Sequence, residues 1–165
     1  MSYVDTSVIV AALDPTDPRS QRARATLEEK GRKIISELVI AELTSVLSRR
    51  SGLLSELAGK LGLSKELTEL AVILYLLRRF NLEYRALGTR TKVTVFGRMY
   101  APMAVATELS PRLRLKTLDL LHVAYLKLLK EAGEPIHTLV TADKDFKEAE
   151  EGLRDAVDVN VRLIE

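Results

Sequence analysis

The chain has 165 residues, of which 47% are hydrophobic and 29% charged, with a net charge of only +2. That is enough apolar material for one globular domain spanning 1–165, and no apolar run approaches the ~18 residues of a membrane span. Cysteine is absent, which excludes disulfides, zinc–thiolate sites and thiol catalysis, and two histidines, His122 and His137, leave little for a histidine-based metal site or a serine–histidine triad. The N-terminus lacks the basic region and small-residue cleavage site of a signal peptide, so a cytoplasmic location is expected.

Strand-like and helix-like patterns alternate along the chain. "SYVD" reads as a short strand and "TSVIVAAL" as a helix directly after it. Turn residues in "DPTDPRS" precede a polar helix closed near Gly31, and "RKIIS" is a second strand. Ser36 and Glu37 open a helix "ELVIAELTSVLSRRSG" that ends near Gly52. Two more helices fit "LLSELAGKLG" and "SKELTELAVILYLLRRF", the second capped by Ser64. "LEYRAL" and "KVTVF" look β-like and are expected to pair across "GTRT". "RMYAPMAVATELS" predicts a helix despite Pro102, and "TLDLLHVAYLKLLKEAG" a strongly patterned one capped by Thr117. "IHTLVTA" is an almost unbroken buried strand, "DKDFKEAEEG" a short acidic helix and "DVNVRLI" a last strand. This alternation predicts an α/β protein, three-layer α/β/α, with a mostly parallel twisted sheet of about five strands and a helical and β-hairpin middle section at 53–116.

The acids stand out against this frame. Asp5 ends the first strand and is followed at once by Val8, Ile9 and Val10; Asp143 ends the "HTLVTA" strand, with Asp145 two residues on. Ligand sites in open α/β sheets lie beyond the carboxyl ends of the strands, so parallel neighbours would bring these acids to one edge. Glu42 interrupts an apolar helical run at i±4 from Leu38 and Val46, and Asp119 lies in the first turn of an apolar helix. Capping alone would account for Asp119 or Asp143 singly. Four acids converging on one place repel by ~4 kcal/mol per pair at ~4 Å, so the set would protonate or take a hard cation, Mg²⁺ or Mn²⁺. Metal-assisted hydrolysis of phosphodiesters is the chemistry such a centre supports.

Charge is unevenly placed. Residues 78–118 carry nine basic side chains against two acids, whereas 143–165 carry eight acids against four bases. A basic sector of this kind fits a nucleic-acid backbone as well as an ordinary solvated surface. Arg49, Arg50, Arg112, Arg114 and Lys116 are the candidate backbone contacts.

"YVDTSVIVAAL", "IISELVIAELTSVLSRR", "LKTLDLLHVAYLKLLKEAG" and "TLVTADKDF" together resemble the four blocks of the PIN-domain nucleases, a family that includes the VapC-type toxins of prokaryotic toxin–antitoxin pairs. The resemblance covers roughly residues 1–52 and 112–165. It implies a metal-dependent endoribonuclease with Asp5, Glu42, Asp119 and Asp143 as its acidic metal site and Asp145 as a further acid. It places Thr6, Ser7 and Thr141 beside those acids as supporting polar groups. RNA as substrate and a small antitoxin as partner follow from the same resemblance; a homodimer is expected from the apolar width of "VILYLLRRF", and no membrane association from the shortness of every apolar run. Residues 53–116 are longer than the compact toxin pattern and read as a substrate-binding or dimerisation insert. The rival reading is a PIN-like module that binds RNA or a protein without cutting. His122, three residues after Asp119, is expected to pack or to support the acids.

Overall fold

The computed structural model describes the backbone of residues 1–165 and every side chain except those of Ser51 and Leu53. In chain order the elements are β1 (Ser2–Val4), α1 (Thr6–Leu13), α2 (Ser20–Glu28), β2 (Lys33–Ile35), α3 (Glu37–Arg49), α4 (Ser51–Leu61), α5 (Lys65–Arg79) and β3 (Leu82–Tyr84). There follow β4 (Thr91–Thr94), β5 (Gly97–Tyr100), α6 (Ala101–Leu113), α7 (Thr117–Glu131), β6 (Thr138–Thr141), α8 (Lys144–Glu148), α9 (Glu150–Val157) and β7 (Asn160–Leu163).

Strands order as β3-β2-β1-β6-β7, every pair parallel, and helices flank the sheet in three α/β/α layers. Parallel neighbours require crossovers, and right-handed ones put the helices of the two half-sheets on opposite faces. Helices α1, α3 and α5 pack together, as do α6, α7 and α9. The central strands are buried on both sides: Tyr3, Ile34, Ile35 and Leu139 are fully enclosed, as a doubly covered sheet requires. The order reverses between β1 and β6, so the crevice at their carboxyl ends is a topological switch point.

Several boundaries differ from the sequence reading. "LEY" does not pair with "KVTVF"; it forms the outer strand β3 of the main sheet beside β2. "KVTVF" instead supplies β4, which pairs antiparallel with β5, "GRMY", so that "RMY" is strand where the sequence predicts the start of a helix. That helix starts only at Ala101, which puts Pro102 in its first turn, where a missing N–H costs nothing. Thr117 is the first residue of α7 rather than its cap; Lys116 stands at that position. The acidic segment is two helices, α8 and α9, the second running on to Val157. Ser64 caps α5 by accepting from the Leu67 N–H. Ser36 stands at the cap of α3 without bonding it, because its hydroxyl is bonded to Tyr3 instead.

Candidate metal centre

Each acid reaches the switch point from a different element. Asp5 follows β1 directly, and its N–H donates to the carbonyl of Val140 (2.9 Å), which ties the end of β1 to β6. Glu42 comes from α3, on the flank of the buried Val39–Leu43–Leu47 stripe. Asp119 projects from the first turn of α7, and Asp143 from the loop after β6, where it caps α8 by accepting from the Asp145 N–H (2.9 Å).

These groups form two adjoining sets. Asp5, Glu42 and His122 make one; Asp119, Asp143 and Asp145 make the other; within each, one ligand atom per residue lies within 4.8 Å of the others. Asp119 links the sets electrostatically: burial first, then the charges of Asp143 and Asp5, push its carboxyl up to about 6. Its Oδ2 is buried with no hydrogen-bond partner, so capping does not explain it. An orphaned oxygen in this setting is what a bound proton or cation would satisfy.

Hydroxyls hold the first set in place. Ser7 donates to Asp5 Oδ2, and so does Thr141, at 2.8 Å. Ser7 in turn accepts from the Ala142 N–H (2.9 Å), and Thr141 from the Asp143 N–H (3.0 Å). Thr6 donates to Glu42 Oε2. Thr6, Ser7 and Thr141 therefore all lie against the acids.

His122 is the residue whose position the sequence conveyed least. Its side chain is 2% exposed, and its Nε2 lies 2.7 Å from Glu42 Oε2 and 3.2 Å from Asp5 Oδ1. Its Nδ1 lies 3.0 Å from the Tyr3 hydroxyl, which is itself 2.7 Å from Ser36 Oγ. Burial alone would lower the imidazole pKa, but the Glu42 hydrogen bond and the Asp5 charge outweigh it, and the net shift is upward. Glu42 responds in the opposite sense: burial raises its carboxyl, the His122 contact outweighs that, and the net shift is downward. The one available signal was the three-residue spacing from Asp119, which puts both on one face of α7. Tyr3, read only as a strand residue, is fully buried, and burial drives its phenol well above the ordinary value.

The candidate backbone contacts do not form one set. Arg50 pairs with Asp14 (3.0 Å), and Lys116 pairs with Asp145 (2.6 Å) at the rim of the acidic crevice. Arg49, Arg112 and Arg114 are exposed, and among the described residues they have no ion-pair partner. Arg19 adds a contact not foreseen, donating to the carbonyl of Ala142 (2.7 Å) in the loop that carries Asp143.

As a donor set, five carboxylates and one imidazole suit a hard divalent cation, and the orphaned Asp119 oxygen agrees with that fit. An α/β/α fold with an acidic centre at its switch point defines the class. The chain belongs to the PIN domain family, whose profile matches residues 2–152; PIN domains are generally nucleases. No curated protein matches the chain significantly. Among solved structures, its fold is similar to that of a chain in the crystal structure of VapBC2 from Rickettsia felis bound to a DNA fragment from their promoter. The TM-score is 0.57 at 18% identity, with 100% of each chain covered. It is also similar to a chain in FitAcB from Neisseria gonorrhoeae, with a TM-score of 0.55 at 18% identity, covering 98% of this chain and 96% of that one.

Proposed function

We propose that this protein is a divalent-metal-dependent endoribonuclease that hydrolyses RNA phosphodiester bonds. The observation that carries the reading is the convergence of Asp5, Glu42 and His122 with Asp119, Asp143 and Asp145 at the switch point. Asp5, Glu42, Asp119 and Asp143 would hold Mg²⁺ or Mn²⁺, with Asp145 contributing at the rim. The bound ion would supply Lewis-acid activation of water and charge stabilisation at the phosphate. The chain's own residues do the positioning. Ser7 and Thr141 fix Asp5 in one rotamer, Thr6 and His122 fix Glu42, and Lys116 holds Asp145 until substrate competes for it. Arg49, Arg112 and Arg114 remain available to the RNA backbone.

Family membership supports a toxin role with a small antitoxin as inhibitor, acting in the cytoplasm. It also supports one domain over 1–165, as does a contiguous buried core that draws on most of the elements. A homodimer is proposed through α5, where Leu67, Leu70 and Leu74 are all more than half exposed on one helical face. The test is cleavage of a panel of single-stranded and structured RNAs with Mn²⁺, with Mg²⁺ and with chelator, against Asp5→Asn. Metal-dependent cutting lost in the variant is the expected result. No cutting of any RNA by the folded wild type would favour the non-catalytic binding module.

A further inference from the structure

The β4–β5 hairpin contributes no side chain to the acidic centre, yet among the described residues it holds the most exposed apolar side chains. Val93 is 76% exposed, Val95 94% and Phe96 78%. Register divides its faces. Lys92 opposes Met99, and Val93 opposes Arg98, and opposed side chains share a face. The Lys92 face is turned to α6, where Lys92 pairs with Glu108 (2.7 Å). The Val93–Arg98 face, with the Val95–Phe96 tip, is open. A two-stranded ribbon is marginal by itself, but this one is organised. The Thr94 hydroxyl accepts from the Phe96 N–H (3.1 Å) and donates to the Gly97 carbonyl (3.0 Å). The foot is pinned where the hydroxyls of Tyr100 and Tyr125 meet at 3.1 Å. Tyr125 is on α7, six residues after Asp119, hence about 9 Å along the helix that bears that one acid of the centre.

Chemistry selects the occupant. Residues 90–100 contain Arg90, Lys92 and Arg98 and no acid, and among the described residues Arg90 and Arg98 have no ion-pair partner. Like charge opposes docking of this hairpin on that of a second copy. An exposed aromatic ring at the tip, with Arg98 two residues on and Arg90 at the foot of the ribbon, offers a stacking platform for unpaired bases and cations along the ribbon for their phosphates.

We propose that the β4–β5 hairpin is a gripping arm for single-stranded RNA, with Phe96 stacking on a base and Arg90 and Arg98 engaging phosphates, upstream or downstream of the bond at the acidic centre. This inference rests on the ribonuclease reading, so its test separates the two. Anisotropy of a labelled single-stranded RNA of mixed sequence is measured in chelator, where no cutting is needed, for wild type, Phe96→Ala and the double variant Arg90→Ala/Arg98→Ala. Loss of one stacked base should weaken binding by about tenfold, and the arginine variant should lower the salt slope by about 1.4. All three should melt alike, because the altered side chains are exposed. Affinities within twofold of wild type would overturn the arm while leaving cleavage with Mn²⁺ to decide the nuclease. So would absence of RNA binding by the wild type. Conversion of a dimer to a monomer by Phe96→Ala in sedimentation, with RNA affinity kept, would assign the hairpin to self-contact instead.

Discussion

Replacing Asp119 by Asn should stabilise the metal-free protein. The Asp119 carboxyl is raised from 3.8 to about 6 by burial and by Asp143 and Asp5. At 1.36 kcal/mol per pH unit, that is about 3 kcal/mol for a fully enclosed group; Asp119 is half-buried, and solvent screening reduces it to about 1–1.5 kcal/mol. With an unfolding entropy of ~2.1 cal/mol/K per residue over 165 residues, Tm should rise by about 3–4 °C. The sign follows from proton uptake. Between pH 3.8 and about 6 the native state binds more protons than the unfolded chain, so wild-type stability falls as pH rises through that window. The Asn side chain does not titrate. The gain should therefore be near zero below pH 4 and full above pH 6, and Oδ2 forfeits no hydrogen bond in the exchange. The assay is thermal unfolding in chelator from pH 4 to 8. A pH-independent difference, or a destabilised variant at pH 8, would refute the account of Asp119 as a strained acid.

With Mn²⁺ at a hundredfold of its Kd, wild type should gain about 2.7 kcal/mol, read as a Tm rise that Asp5→Asn abolishes. His122→Gln should cost about 2–3 kcal/mol in chelator at pH 6, measured by urea unfolding, because Glu42 and Asp5 lose their shared cation. The stability contributed by charged His122 is fully present below about pH 6.5 and lost as pH rises through its higher folded value. The urea midpoint of wild type should accordingly drop above neutrality, and that of the variant should not. Tyr3→Phe leaves Ser36 Oγ and His122 Nδ1 without the phenol; a loss of about 1–3 kcal/mol is expected by denaturant titration.

The sequence by itself determined the strands and helices that bury one continuous apolar pattern. "IHTLVTA" reads as an interior strand and "SYVD" as a short one, and Asp5 and Asp143 fall at their carboxyl ends. Glu42 was legible as a polar residue on an apolar helix, since helical periodicity is local. The middle was less so. The exposed β4–β5 ribbon lacks a buried face to fix its register, so the sequence pattern does not single out "GRMY" as the partner of "KVTVF". Tertiary structure alone decided what surrounds each acid. His122 is separated from Glu42 by 80 residues and from Tyr3 by 119, and no local pattern encodes which atoms meet across such distances. Only the docking of α7 against α3 over β1 brings the imidazole between two carboxylates, and burial there, with the charges of Asp143 and Asp5, raises the Asp119 carboxyl. Residue type placed the acids at the edge of a sheet; desolvation and proximity, which exist only in the folded state, give them their charge.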